Sequence, residues 1–319
     1  MRAPVLSNLF SRVSQRTGWF AIYTSGNGVS FAYVKYTENG PPRVMSCAFY
    51  PEKNVTSPVL EKLCKDAHVG DLQFITLLAS GEYQVLMVEA PSVPQDEVKA
   101  AIRWRIKDSL NYSVDEATVD VLQIPTGRAG GERPQSLYAI AASNDTIRKR
   151  IALFEKAKIN LRVIDIPEMA QRNIAALFEE EGRCLALLVF DDSGGMLTFT
   201  SGGELYLARR IEITLGQLQD ADEGLRQQYL DRVELELQRS LDYFGRQYSQ
   251  MSVNRLLISA PEHLGLVQWL APHLDMPVEQ LELSQVLDIS GAPELADSEY
   301  LAHVFLALGA ALRHERRAE

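Results

Sequence analysis

Apolar and polar positions along this chain switch between a period of two and a period near four, which predicts alternating strands and helices. Trp19 to Tyr23, Val29 to Tyr36 and Arg43 to Phe49 are rich in β-branched and aromatic residues, and the first two flank the turn-forming Ser25-Gly26-Asn27-Gly28. A helix from about Pro58 to Ala67 leads to strands at Gln73 to Leu78 and Gln84 to Glu89. Residues 18 to 90 are therefore expected to form a mixed sheet covered by helices.

Pro91 and Pro94 break this pattern. In Gln95 to Leu110, Val98, Ile102, Ile106 and Leu110 recur every four residues, as on one face of a helix. Strands at Ala117 to Ile124 and Ser136 to Ala142 flank Thr126 to Pro134, a Gly/Arg-rich stretch that reads as a hairpin loop. The block from about 91 to 142 is expected to be an inserted α/β subdomain. A helix at Asn144 to Lys156, a strand at Leu161 to Ile166 and a helix at Pro167 to Phe178 then resume the main fold.

After the charged run Glu179 to Arg183 the pattern restarts. Cys184 to Phe190, Met196 to Thr200 and Glu204 to Arg209 read as short strands joined by glycine turns. A helix from about Asp222 to Gln250, about 43 Å long, carries Leu225, Tyr229, Val233, Leu237, Leu241, Phe244 and Tyr248 as one apolar stripe. Its other face is charged, so it should lie on a core from outside. A strand at Arg255 to Ile258, a helix, a Pro/Leu-rich stretch and a helix at Glu299 to Arg313 follow. The expected organisation is an N-terminal segment 1–17, a first half 18–183 carrying the insertion, and a second half 184–319.

Charge narrows the function. The 319 residues hold 32 Lys plus Arg against 42 Asp plus Glu, a formal charge of −10, which argues against a nucleic-acid backbone as partner. Cys47, Cys64 and Cys184 are odd in number and widely spaced, which suits a reducing, cytosolic compartment rather than a disulfide framework or zinc site. The longest fully apolar run, Leu185 to Phe190, has about six residues where a membrane span needs roughly 20. The first residues lack the continuous apolar stretch of a signal peptide. Instead Val5, Leu6, Leu9, Phe10 and Val13 share one helical face, with Arg2, Arg12 and Arg16 outside it. Such a segment suits an anionic membrane, a partner, or packing on its own domain.

No catalytic or metal site is expected. His68, His263, His273, His303 and His314 show no metal-ligand spacing, and neither a Gly-x-Ser-x-Gly turn nor a Walker-type loop occurs. Cys184, opening a buried strand, reads as a core thiol.

The two halves echo each other. Ile22-Tyr23-Thr24-Ser25-Gly26-Asn27-Gly28-Val29-Ser30-Phe31 lies without gaps on Phe190-Asp191-Asp192-Ser193-Gly194-Gly195-Met196-Leu197-Thr198-Phe199, with Ser, Gly and Phe coincident. Each copy opens its half as strand, turn and strand. Such duplication is what an actin-like fold shows, where two β-hairpins face each other across a cleft and hold a nucleotide's phosphates.

Over nearly its whole length the chain resembles the type IV pilus assembly protein PilM family, and within it the MshI proteins of mannose-sensitive haemagglutinin pilus biogenesis. The segments that carry the resemblance are Ala90-Pro91 through Asp96-Glu97-Val98 to Ala101-Ile102-Arg103-Trp104, and Val114-Asp115-Glu116-Ala117-Thr118-Val119-Asp120. Leu237-Gln238-Arg239-Ser240-Leu241-Asp242-Tyr243-Phe244 and Ala307-Leu308-Gly309-Ala310-Ala311-Leu312-Arg313 add to them. The resemblance implies an actin-like, α/β fold and a cytoplasmic protein, peripheral at the inner membrane. It also implies a scaffold that docks the cytoplasmic N-terminal tail of a PilN-like inner-membrane protein, beside other pilus assembly proteins.

Against the family pattern the nucleotide site looks degenerate. Actin-like phosphate hairpins usually carry Asp-x-Gly, in which the Asp organises a metal and the Gly admits phosphate. Here Tyr23 stands at the Asp position, Ser25 at the Gly position, and Ser30 near a usual basic position. A neutral tyrosine hydroxyl does not replace a carboxylate around Mg²⁺. The second hairpin keeps Asp191 and Asp192 before Ser193-Gly194-Gly195, either as a phosphate or metal cradle or as a charged surface turn. The adenine-side loop is Ser259-Ala260-Pro261 instead of glycine-rich. The expectation is no cofactor and no enzyme; the alternative is an ATP-binding switch or weak ATPase using ATP and Mg²⁺, and a small-molecule kinase is disfavoured.

For a partner, Trp104 is the most informative residue. It points about 200° away from Ile102 on its helix, on a face with Lys107 and Asp108. It is either an interface anchor or covered by another element of the subdomain. The expected binding place is a groove between this subdomain and the first sheet, fitted to an extended or partly helical peptide.

Overall fold

The structure, a computed structural model, describes residues 18–38, 40–52, 54–66, 72–125, 135–220 and 222–314. The expected amphipathic segment 1–17, the loop 126–134, Ala67 and His68 lie outside them. The first half comprises β1 (Trp19–Thr24), β2 (Val29–Lys35), β3 (Arg43–Tyr50), α1 (Ser57–Asp66), β4 (Gln73–Leu77), β5 (Tyr83–Glu89), α2 (Val98–Ile106), β6 (Ala117–Gln123), β7 (Ser136–Ser143), α3 (Asn144–Lys156), β8 (Leu161–Asp165) and α4 (Pro167–Phe178). The second comprises β9 (Cys184–Asp191), β10 (Gly194–Ser201), β11 (Glu204–Ile211), α5 (Leu215–Leu218), α6 (Glu223–Gln247), β12 (Val253–Ser259), α7 (Leu266–Leu270), β13 (Val278–Gln280) and α8 (Ser298–Ala311).

The halves share one topology. The sheets run β3-β2-β1-β4-β8 and β11-β10-β9-β12-β13. In each, the first three strands form an antiparallel meander and the last two join in parallel. Period-two burial explains why β1 and β9 sit at the centre. Trp19, Ala21 and Tyr23 enter one core and Phe20 and Ile22 the other. Likewise Leu185, Leu187 and Val189 face one core, and Ala186, Leu188 and Phe190 its opposite. Strands apolar on both faces must be covered on both faces.

Helices supply that cover. Phe154 of α3 and Leu60 of α1 close the outer face of the first sheet. On the second sheet, Phe199 of β10 stacks on Phe244 of α6 with ring centroids 4.8 Å apart. Between the sheets the helices change sides: α4, from the first half, lies against β9, β10 and β11, and α8, from the chain's end, lies against β1 to β4. Asn173 of α4 donates to the Gly309 carbonyl of α8 at 2.9 Å, so the two halves are joined through this helix pair.

Several expectations are corrected. The strand expected at Gln84 to Glu89 does not join the first sheet. As β5 it pairs with β7 from Tyr83↔Ala142 to Glu89↔Ser136, in a separate sheet of order β5-β7-β6. The subdomain therefore begins near 83, not 91. Leu86 and Val88 pack beneath α2 while Tyr83 and Val85 face the first half, so an all-apolar run gave no mark of which sheet it would enter. On α6 the buried stripe starts at Leu230, and Leu225 is 41% exposed. Strand β13 was not anticipated; its three residues are too few to show a period. The gap-free hairpin match also fails on its second strand. Ile22 pairs with Phe31, but Phe190 pairs with Gly195 and Phe199 with Ala186, because the second turn is tighter.

Candidate functional site: a cleft between two hairpins

The hairpin turns meet at one cleft of about 190 Å³. Tyr23, Ser25, Gly26 and Asn27 line it from the first hairpin, and Asp191, Asp192 and Ser193 from the second. Phe49 of β3, Ala79 and Ser80 after β4, and Ala302, His303 and Leu306 of α8 complete the wall. The other expected positions do not line it. Ser30 is buried opposite Tyr23. Gly28 sits where a Cβ would collide with the Tyr50 carbonyl, so it serves the close approach of β3. Gly194 and Gly195 begin β10. Ser259, Ala260 and Pro261 are buried, and the Ala260 carbonyl accepts from Gln280 at 2.8 Å.

Each turn satisfies itself. The Ser25 amide donates to the Gly28 carbonyl at 2.9 Å, and the Asn27 amide donates to Ser25 Oγ at 3.3 Å. Asp191 Oδ1 accepts both the amide and the hydroxyl of Ser193, at 2.8 and 2.6 Å. Amides that would cradle a phosphate in an open turn are thus partly engaged locally. Tyr23 is 7% exposed. Burial pushes its phenol pKa up, and the nearby Asp191 charge adds to this.

Two ionic clusters lie behind the cleft. Arg150 of α3, buried, donates to Thr24 Oγ1 at 3.0 Å, the Leu77 carbonyl at 2.9 Å and Glu82 at 2.6 Å. Glu82 also accepts the Ala79 amide at 2.7 Å. Next to it, Tyr83 donates to buried Glu168 of α4 at 2.7 Å, and Arg210 of β11 reaches Tyr83 at 2.7 Å and Glu168 at 3.3 Å. Adjacent residues 82 and 83 therefore tie the subdomain to both halves. Sequence reasoning missed this, because the partners of Arg150 are remote in sequence.

Trp104 is 71% exposed, with Lys107 and Asp108 exposed on the turn that follows α2. No element of the described residues covers it. Between the subdomain and the first half, Leu78, Ile166 and Ile147 pack against Tyr83, Val85 and Ala142. An open groove of about 310 Å³ lies between β5 and β11, and Trp104 is not among the residues that line it. Cys184 is fully buried and its thiol pKa is raised by burial, as a core thiol's should be. Among the described residues no group of three or more His, Cys, Asp or Glu could hold a metal ion.

No protein-family model matches the chain, and no curated protein matches it. Solved structures do. One, described as a PilM-PilN type IV pilus biogenesis complex, matches with TM-score 0.74 at 17% identity, over 93% of this chain and 98% of that one. The cytoplasmic domain of EpsL, an inner-membrane component of the type II secretion system of Vibrio cholerae, matches with TM-score 0.47 at 10% identity, over 77% and 83%. A Bacteroides thetaiotaomicron protein of unknown function, described as having an actin-like ATPase fold, matches with TM-score 0.45 at 12% identity, over 86% and 94%. The duplicated sheets, with the match to the PilM-PilN structure over nearly the full length of both chains, make the fold actin-like.

Proposed function

We propose that this chain is a PilM-like component of a type IV pilus machine, of the MshI kind, that docks the cytoplasmic N-terminal tail of a PilN-like inner-membrane protein. The observation that carries the reading is the correspondence, over nearly the full length of both chains, with the structure of a PilM-PilN complex. No helix among the described residues is long and apolar enough to cross a membrane. A place at the cytoplasmic face of the inner membrane would thus come through the partner. Trp104 is the proposed anchor for that contact, because a large aromatic exposed on a helix with charged neighbours is the composition of a hot spot.

In this reading the protein is a scaffold and not an enzyme. The cleft fits Mg²⁺-nucleotide poorly. Among the described residues neither Lys nor Arg lines it, Tyr23 stands at the position of the metal-organising carboxylate, and the adenine-side loop is buried. The competing reading, an ATP-binding switch, draws on the two turns converging on one cleft. Thermal unfolding with and without Mg-ATP, together with phosphate release, separates the two. Unchanged stability and no phosphate support the scaffold; saturable stabilisation with turnover, lost in Asp191→Ala, would replace it with the switch.

A further inference from the structure

One end of the first sheet is cationic in a chain whose formal charge is −10. β4 runs parallel to β1, and β8 to β4, so all three begin at this end, and β2, antiparallel to β1, finishes there. Lys35 closes β2, Lys156 closes α3, Lys158 follows it, and Arg162 is the second residue of β8; all four side chains are exposed. Glu38 and Glu155 are exposed beside them, and Glu61 is held by Lys65 at 2.9 Å, so cations exceed carboxylates there among the described residues. Tyr36, 43% exposed, adds an aromatic ring whose hydroxyl donates to the Leu312 carbonyl at 2.7 Å. The turns of the nucleotide-like cleft lie at the opposite end of β1.

A second, independent observation concerns what joins the sheet at that end. Residues 1–17 lead directly into β1 through Gly18, which sits so close to β2 that a Cβ would run into the Val34 carbonyl. The segment holds Arg2, Arg12 and Arg16 and no acidic residue, whereas all 42 Asp and Glu of the chain lie beyond it. Pro4 suits the first position of a helix, which leaves Arg2 ahead of it. At 100° per residue, Val5, Leu6, Leu9, Phe10 and Val13 would then share an arc of about 140°, with Arg12 and Arg16 at its border. Ser7, Asn8, Ser11, Ser14 and Gln15 would take the other side. A narrow apolar face bordered by arginines, with a polar back, is the pattern of a helix that lies in a lipid headgroup region.

We propose that residues 1–17 and the cationic end of the first sheet together bind an anionic bilayer surface. The segment supplies the apolar contact, and Lys35, Lys156, Lys158 and Arg162 face the headgroups. Neither part suffices alone: a short apolar face binds lipid weakly, and four cations must overcome the repulsion of an acidic protein. Together they act as two signals. Because Thr17 is bonded to Gly18, a segment held in the interface keeps the cations near the surface, where anionic lipid attracts each of them. The cleft would then face away from the membrane. This adds a direct lipid contact to the one made through the partner, on a surface separate from Trp104, so it stands or falls apart from tail docking.

The test is flotation of the full chain, without its partner, on vesicles of phosphatidylcholine alone and of phosphatidylcholine with phosphatidylglycerol. Binding to the anionic vesicles, none to the neutral ones, and weakening in high salt are expected. Phe10→Asp should abolish flotation while leaving thermal unfolding in the absence of lipid unchanged. The double variant Lys156→Glu with Lys158→Glu should weaken binding about tenfold or more; both side chains are exposed, so it keeps the fold. No flotation on anionic vesicles, equal flotation on neutral ones, or undiminished binding by either variant would overturn the proposal. A Phe10→Asp chain that unfolds at a lower temperature without lipid would overturn it too, by assigning the segment to its own domain.

Discussion

The buried guanidinium of Arg150 donates to Thr24 Oγ1 across 3.0 Å, joining helix α3 to the last residue of β1, where the first cleft turn begins. The same group holds Glu82, at the entrance to the subdomain's first strand. One side chain thus fixes the cleft edge and the subdomain's root together.

Replacing it should be expensive. Arg150→Met leaves Thr76 and the Leu77 carbonyl buried without their donor and Glu82 without its counter-ion. A loss of about 3 kcal/mol is expected in urea unfolding. Glu82→Gln keeps an acceptor for Arg150 and for the Ala79 amide, and should cost about 1 kcal/mol. Equal losses from both variants would contradict this view of the cluster.

Glycine substitutions should separate the helix joint from the surface. At Gly309 an added Cβ would run into the Ala170 carbonyl of α4. Gly309→Ala should therefore force α4 and α8 apart and cost about 2 kcal/mol. At Gly245, inside α6, a Cβ meets nothing within 4 Å. Gly245→Ala should stabilise by about 0.5 kcal/mol, from helix propensity alone. A neutral Gly309→Ala would mean that the helix pair has slack.

Trp104→Ala should leave the fold nearly untouched, within about 0.5 kcal/mol, since the side chain is 71% exposed. Affinity for the partner's tail should nevertheless fall by about 2 kcal/mol or more. Unchanged affinity in the folded variant would remove Trp104 as an anchor.

Alkaline unfolding carries a definite sign. Burial pushes the Tyr138 phenol from its ordinary 10.0 to about 12, and the Cys47 thiol from 9.0 to about 12. Above the ordinary values the unfolded chain releases these protons while the native one keeps them, so the native state binds more protons. Stability should be full below pH 9 and fall as pH rises towards 12, by ~1.4 kcal/mol per titrating group per pH unit. Urea midpoints measured from pH 8 to 11, with Tyr138→Phe as reference, check the slope. A slope that Tyr138→Phe leaves unchanged would assign it to other groups.

Much of the fold can be read from the sequence because its signals are local. The paired hairpins follow from turn residues between apolar strands, and α4 from Pro167 at its start and the apolar spacing behind it. Other features rest on long-range choices. β5 has apolar residues on both faces and fits either sheet by pattern; only its seven pairings with β7 decide. The exchange of α4 and α8 between the halves depends on Gly309 meeting Ala170 and Asn173, more than 130 positions away in the chain. In the site, the hairpin residues were found through the repeat, which holds on the first strand alone. His303 and Phe49 were not, because a metal-spacing search is blind to a histidine that stacks on a ring from a distant strand.

The central claim is a partner's tail docked without help from a nucleotide. Its most direct test is calorimetric titration of the full chain with the cytoplasmic tail of the PilN-like protein from the same cell, with and without Mg-ATP. The account predicts saturable, one-to-one binding whose affinity is the same in both conditions. Failure to bind the tail, or binding only when Mg-ATP is present, would contradict it.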